Sequence, residues 1–179
     1  HVILRGLAAR MVDAIDAKIR ETFVTEFGAE HERYPATIRA ETLDRCNHFT
    51  SFPEHVDFVA HLRSDVTNLK AFADDCRAEG WQPRHHEGRM GAHSFAISPS
   101  CCYHCYEGME GWDLGSANRA VTTVVGCHRY EGTNLTTMSR LRAFTMREII
   151  WVGHPRYVIS SRHRADELMV EWARSWGLH

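Results

Sequence analysis

Apolar residues recur at helical spacing from the start of the chain. Leu4, Ala8, Met11, Ile15, Ile19, Phe23 and Phe27 fall three or four apart, and Gly28 follows as a stop signal. The pattern predicts a helix over 2–27. Pro35 sets an extended stretch in "ERYPATIRAETL", followed by a short helix near 40–46. In "SFPEHVDFVAHL", Pro53 marks a turn that leads into a strand. "SDVTNLKAFADDCRAEG" predicts a second long helix, opened by a Ser64 or Asp65 cap and closed by Gly80. "WQPRHHEGRMG" reads as loop. "AHSFAIS" alternates as a strand, Pro99 breaks it, and a cysteine-rich stretch then starts a helix. "AVTTVVGCHRYEG" and "RLRAFTMREIIWVG" are two strands joined by the loop "TNLTTMS". The tail 155–176 is helical, with Val158, Ala165, Leu168, Trp172 and Trp176 on one face.

The strands alternate with helices, but the best-defined strand pair is a hairpin. The expected class is therefore α+β: a mostly antiparallel sheet flanked by helices. No repeat or linker interrupts it, so 1–179 reads as a single domain. The chain's 179 residues can hold a real core. A net charge of −2 gives nucleic-acid binding no support from composition. No apolar run reaches the ~20 residues of a membrane span, and "HVILRGLAAR" lacks the features of a signal peptide. The first residue is His rather than Met, so the chain reads as a piece whose true start is missing.

Six cysteines are too sparse and uneven for a secreted disulfide framework, which favours a reducing, cytoplasmic setting. Three of them, Cys101, Cys102 and Cys105, lie within "SPSCCYHCYEG", with His104 among them. Such a stretch could be a zinc knuckle, half of a redox pair, or a helix with small buried thiols. On a helix Cys101 and Cys105 share a face and Cys102 lies about 100° away, so no single face uses all three. Cys101 and Cys105 are expected in the core, and Cys46 and Cys76 are expected to be structural. His85 and His86, in a polar loop, are expected to be solvated.

The chemistry concentrates on the hairpin "CHRYEGTNLTTMSRLRAFTMRE". Residues two apart on a strand share a face, so Arg129 and Glu131 point one way, and Phe144, Met146 and Glu148 share a face on the return strand. Cys127 has the parity of Arg129 and faces the same side on paper, as a ligand or as core. Arginine suits phosphate oxygens, a phenyl ring suits a nucleobase, and a carboxylate accepts from an amino group. The same residues would also suit a solvated hairpin with cross-strand ion pairs.

The pattern itself adds a resemblance. Arg-x-Glu, a loop, then Arg-x-x-x-Phe resembles motif 2 of the class II aminoacyl-tRNA synthetases; here it is "RYE" and "RLRAF". "MREIIWVG" resembles the continuation in the zinc-dependent seryl-tRNA synthetases of methanogens. Still closer are their tRNA-free relatives, the amino acid:[carrier protein] ligases, whose Pro, small residue, Cys-Tyr run resembles "ISPSCCYHCY". "RYPATIRAETLDRCNHFTSFPEH" and "WVGHP" are similar to that family too, so the resemblance covers roughly residues 30–178.

It implies a class II synthetase-like catalytic domain that stops before motif 3. Cys102 and Glu148 match two of three zinc ligands, and the substrate's amino group would take the open position beside Glu148. The third, a cysteine beyond motif 2, has no counterpart after Cys127. Arg129 would contact the α-phosphate of ATP and act as the catalytic arginine; Glu131 would accept from the adenine amino group. Arg140 would reach the terminal phosphates, Leu141 would line the pocket, and Phe144 would stack on adenine. Mg²⁺ would accompany the triphosphate. The implied reaction activates a small amino acid (glycine, alanine or serine) as its adenylate, then transfers it to the phosphopantetheine thiol of a carrier protein. A homodimer through the segment around Pro35 is implied, and tRNA is not expected as a partner. The hairpin departs from the pattern at His128, where Phe is usual, and in a slightly longer loop.

Three other readings stay in view. A seryl-tRNA synthetase core would need a separate tRNA-binding arm. A non-catalytic paralogue would bind without turnover. A zinc nucleobase deaminase would use His85, Cys102 and Cys105 as ligands and Glu87 as proton shuttle. That last reading lacks a Pro before Cys102 and leaves the hairpin residues unexplained.

Overall fold

The computed structural model describes residues 2–130 and 140–177. In chain order the elements are α1 (Leu7–Phe27), β1 (Glu30–Glu32), β2 (Thr37–Arg39), α2 (Ala40–Arg45) and α3 (His48–Ser51), then a 3-10 turn (Pro53–His55) and β3 (Phe58–Val59). They continue with α4 (Val66–Glu79), a 3-10 turn (Pro83–His86), β4 (Phe95–Ile97), α5 (Cys102–Gly108), β5 (Arg119–His128), β6 (Ala143–Val152) and α6 (Pro155–Ser175). The described residues divide into two compact units. One gathers them from 1–34, 100–126 and 145–179, the other from 35–99 and 127–144.

In the first unit the sheet order is β1-β5-β6. β5 and β6 form the hairpin, while β1 joins β5 in parallel, with Glu30 opposite Val121. β5 buries alternate neighbours in two clusters, as its pleat requires. Ala120 packs with Phe23 and Ala29, joined by Ile19, Phe27, Ile149, Trp151 and Met169. Val121 packs with Cys105 and Ile150. Phe27 meets Trp151 edge-on at 5.3 Å, and both rings are half-buried against this cluster.

α1 begins at Leu7 rather than at 2, because Gly6 takes a left-handed φ of 57°. It ends at Gly28, also left-handed, whose N–H bonds to the Phe23 carbonyl. The apolar face is covered from Ile15 onward, but Leu4 and Met11 stay exposed, against the pattern. Buried Arg147 on β6 clamps Asp16 of α1 with both arms of its fork, Nη2 to Oδ2 at 2.7 Å. It also donates to Thr122 Oγ1 at 3.2 Å. That clamp holds the Asp16 carboxyl below its ordinary range. Gly153 turns the chain out of β6 at φ 149°, where a Cβ would strike Asn118 Oδ1. Pro155 then opens α6, and His154 Nδ1 accepts from Arg156 N.

In the second unit the sheet order is β2-β4-β3, antiparallel throughout. Ile38 and Phe58 both stand opposite the fully buried Ala96. Asp65 caps α4 by accepting from Asn68 N at 2.8 Å, as its sequence predicts. The Asn68 amide in turn donates to the Arg63 and Arg89 carbonyls. The 3-10 turn after α4 buries His85 to 6% exposure, so the expectation of a solvated histidine fails there. The loop end of the hairpin also belongs to this unit: Arg129 N bonds to Arg142 O and His128 N to Ser98 O, each at 3.0 Å. Among the described residues no helix is long and apolar enough to cross a membrane.

Candidate functional site

Two groups of sequence-predicted residues converge, one in each unit. In the first unit, Ser100 and Cys101 lead into α5, which starts at Cys102. β6 runs alongside and offers Met146 and Glu148 from the same face. The buried Cys101 thiol donates to the Met146 carbonyl at 3.1 Å, which ties the start of α5 to the strand. Glu148 Oε1 accepts from Ser100 Oγ at 2.7 Å and from Cys101 N at 3.3 Å. Ser100 Oγ also lies 3.2 Å from Cys102 Sγ.

Ser100 Oγ donates to Glu148 Oε1, and in its contact with Cys102 Sγ either atom can be the donor. The two predicted metal ligands thus share one hydroxyl. Burial pushes the Cys102 thiol up to about 11; the Ser100 bond lowers it in part, and the Glu148 charge raises it again. Burial and the neighbouring Cys102 and Glu148 likewise push Tyr106 up to about 12.

Among the described residues no three His, Cys, Asp or Glu side chains form a metal-holding group. Cys102 and Glu148 are a pair, one sulfur and one oxygen donor brought to the same hydroxyl. Cys105 stays apart as core, 2% exposed, packed with Val121 and Ile150. His104 is also buried, and its ring stacks on Tyr34 at 5.3 Å.

In the second unit, Arg129 Nε donates to the Pro99 carbonyl at 2.9 Å, which fixes the plane of the guanidinium. That guanidinium lies 5.5 Å from the centre of the Phe144 ring. One face of Phe144 is therefore covered by Arg129, and stacking on a base would use the other. Leu141 is half-buried and Arg140 exposed at the start of the return arm. Glu131 lies outside the described residues. Cys127 is fully buried.

Near the hairpin's loop end, Asp57 pairs with Arg142 and lies 3.8 Å from His128 Nδ1. The Arg142 guanidinium stacks over the Tyr130 ring at 5.0 Å. His85 belongs to neither group. Its Nδ1 accepts from Gln82 N and faces Cys76, and its Nε2 faces Glu79 at 3.9 Å. Those local partners account for its burial and remove the histidine that a deaminase site requires.

Two residues here were invisible to sequence reasoning. Ser100 lies just ahead of α5, and its hydroxyl reaches across to Glu148 on β6. Asp57 sits in an apolar stretch with no motif around it. The only signal for either was a lone polar residue beside groups of stated chemistry.

No family model and no curated protein sequence matches the chain. Solved structures do match by fold. A crystal structure of A. aeolicus tRNASec in complex with M. kandleri SerRS matches with a TM-score of 0.84 at 18% identity, covering 93% of this chain and 33% of that one. Giardia lamblia prolyl-tRNA synthetase in complex with prolyl-adenylate matches with a TM-score of 0.69 at 14% identity, covering 96% of this chain and 30% of that one. The fold is that of a class II aminoacyl-tRNA synthetase catalytic domain, helices with largely antiparallel sheets. The chain spans about a third of the length of these neighbours.

Proposed function

We propose that the protein to which this chain belongs activates a small amino acid with ATP at a zinc site and passes it to the phosphopantetheine thiol of a carrier protein. The observation that carries the reading is the Ser100 hydroxyl shared by Cys102 and Glu148, the two residues that the resemblance assigns to zinc. Zinc bound there would take the substrate's amino group as a further ligand and so favour amino acids over hydroxy acids.

In the first step a carboxylate oxygen of the amino acid attacks the α-phosphorus, and pyrophosphate leaves with its Mg²⁺. Arg129 offers its fork to the α-phosphate, where negative charge gathers. Phe144 offers its open face to adenine, with Leu141 beside it, Glu131 on the adenine amino group and Arg140 on the terminal phosphates. In the second step the carrier thiolate attacks the acyl carbon, the acyl–phosphate bond breaks, and AMP leaves. Positioning and charge stabilisation carry both steps with little acid–base work. The working form is a cytoplasmic homodimer.

A second reading is favoured by one observation: the M. kandleri SerRS structure is a complex with a tRNA. In that reading the acceptor is the 3′ end of a tRNA and the activated amino acid is serine. The experiment is amino-acid-dependent ATP–pyrophosphate exchange on the full-length protein with glycine, alanine and serine, with and without a zinc chelator. Chelator-sensitive exchange with one of them supports activation, and adding carrier protein or tRNA then separates the acceptors. No exchange from folded, zinc-loaded protein rejects both readings.

A further inference from the structure

We propose that Asp57 is a positioning residue for the nucleotide-binding hairpin, an inference that rests on the ATP reading of Arg129 and Phe144. Asp57 lies just before β3, and only 14% of its side chain is exposed. Its backbone carbonyl accepts from Ile97 N at 2.8 Å, so the residue is anchored to the end of β4. From that anchor its carboxylate reaches both arms of the hairpin. On the return arm it takes the Arg142 fork with both oxygens, Oδ1 from Nη2 and Oδ2 from Nε at 3.3 Å. On the outgoing arm Oδ2 lies 3.8 Å from His128 Nδ1.

The two residues held this way are the backbone neighbours of the nucleotide residues. His128 immediately precedes Arg129. Arg142 supplies the carbonyl that accepts the Arg129 N–H at 3.0 Å, and it stands two positions before Phe144. The Arg142 guanidinium also lies over the ring of Tyr130, the residue after Arg129. One carboxylate therefore fixes the register of the strand pair at the point where Arg129 and Phe144 leave it. The bidentate geometry makes the charge and the shape both matter.

The test compares full-length wild-type protein with Asp57→Asn and Asp57→Glu in two assays. Calorimetry measures Mg²⁺–ATP binding. Limited trypsin digestion, read by mass spectrometry, measures cleavage after Arg142 against cleavage after Arg77 as an internal standard. Asp57→Asn should raise the ATP dissociation constant about 10-fold, a modest misplacement of the contacts. It should also speed cleavage after Arg142, with little change in melting temperature. Asp57→Glu, which keeps the charge, should recover part of both.

Unchanged ATP affinity with faster cleavage at Arg142 overturns the positioning role and leaves only a structural tie. Unchanged cleavage overturns the anchor itself. Wild-type protein that binds no ATP refutes the nucleotide reading, and with it this role, while the cleavage assay still judges the anchor.

Discussion

Ser100 Oγ donates to Glu148 Oε1 at 2.7 Å across 48 positions of sequence, and the same hydroxyl lies 3.2 Å from Cys102 Sγ. A single small side chain thus holds together two groups that the chain delivers from a helix start and from a strand. Removing it leaves the carboxylate one donor short. Ser100→Ala should weaken zinc retention about 10- to 100-fold, the usual scale for outer-shell partners of a metal site. Ser100→Thr should keep most of it. Competition with a fluorescent zinc chelator measures both, and equal affinities for all three proteins would sink the idea.

The thiol of Cys102 ionises near 11 in the folded protein, against an ordinary 9.0. A group raised by burial favours folding below its unfolded value, and that contribution is lost as pH climbs through the folded one. Stability should therefore fall between pH 9 and about 11 in the metal-free protein, and less so in Cys102→Ser. Metal must displace the proton, so zinc affinity should rise by about tenfold per pH unit below that range. Urea melts and zinc titrations at stepped pH check the two signs.

Arg129→Lys should lower kcat/KM for ATP–pyrophosphate exchange by about 10²- to 10³-fold. Lysine keeps the charge but loses the fork, the Nε bond to Pro99 and the guanidinium's contact with the Phe144 ring. Phe144→Leu should act mainly on the KM for ATP. An Arg129→Lys protein with wild-type exchange would mean that the guanidinium only braces the hairpin.

Asp16→Asn should cost roughly 2–3 kcal/mol, below the 3–5 of a fully buried pair because a third of the Asp16 side chain is exposed. The loss comes from Arg147, which stays buried with a neutral partner. The lowered Asp16 carboxyl contributes stability above its ordinary 3.8, and that contribution vanishes as pH falls through the folded value. Wild-type and mutant urea midpoints should therefore converge on acidification below pH 4.

Gly153→Ala should destabilise by at least ~2 kcal/mol, since φ 149° is open to glycine and a Cβ would strike Asn118. Asn118 Oδ1 accepts from His154 N at 2.9 Å, so the clash also disturbs the entry to α6. A melting curve matching wild type would show that the turn relaxes.

Local signals read well in this sequence. Asp65 and Gly80 bound α4, Gly28 ends α1, and Pro155 opens α6, because each acts through its own backbone. The hairpin was legible from alternation and the Arg/Phe spacing. β1 was not: Glu-His-Glu has no apolar signal, and its parallel partner lies some 90 positions away at Val121. His85 looked solvated because its burial depends on Cys76 and Glu79 from the preceding helix. The pairing of Cys102 with Glu148 came from resemblance alone, while the hydroxyl that joins them needed coordinates.

The first unit draws on three separate stretches of chain, and its Asp16–Arg147 clamp spans 131 positions. During synthesis at ~5–20 residues per second, α1 waits roughly 7–26 seconds before Arg147 is even made. Through that interval the half-built protein shows its apolar helix face to every other nascent chain in the cell. Yield in expression should accordingly depend on what shelters that face on the ribosome, and slower translation would be a burden rather than a help.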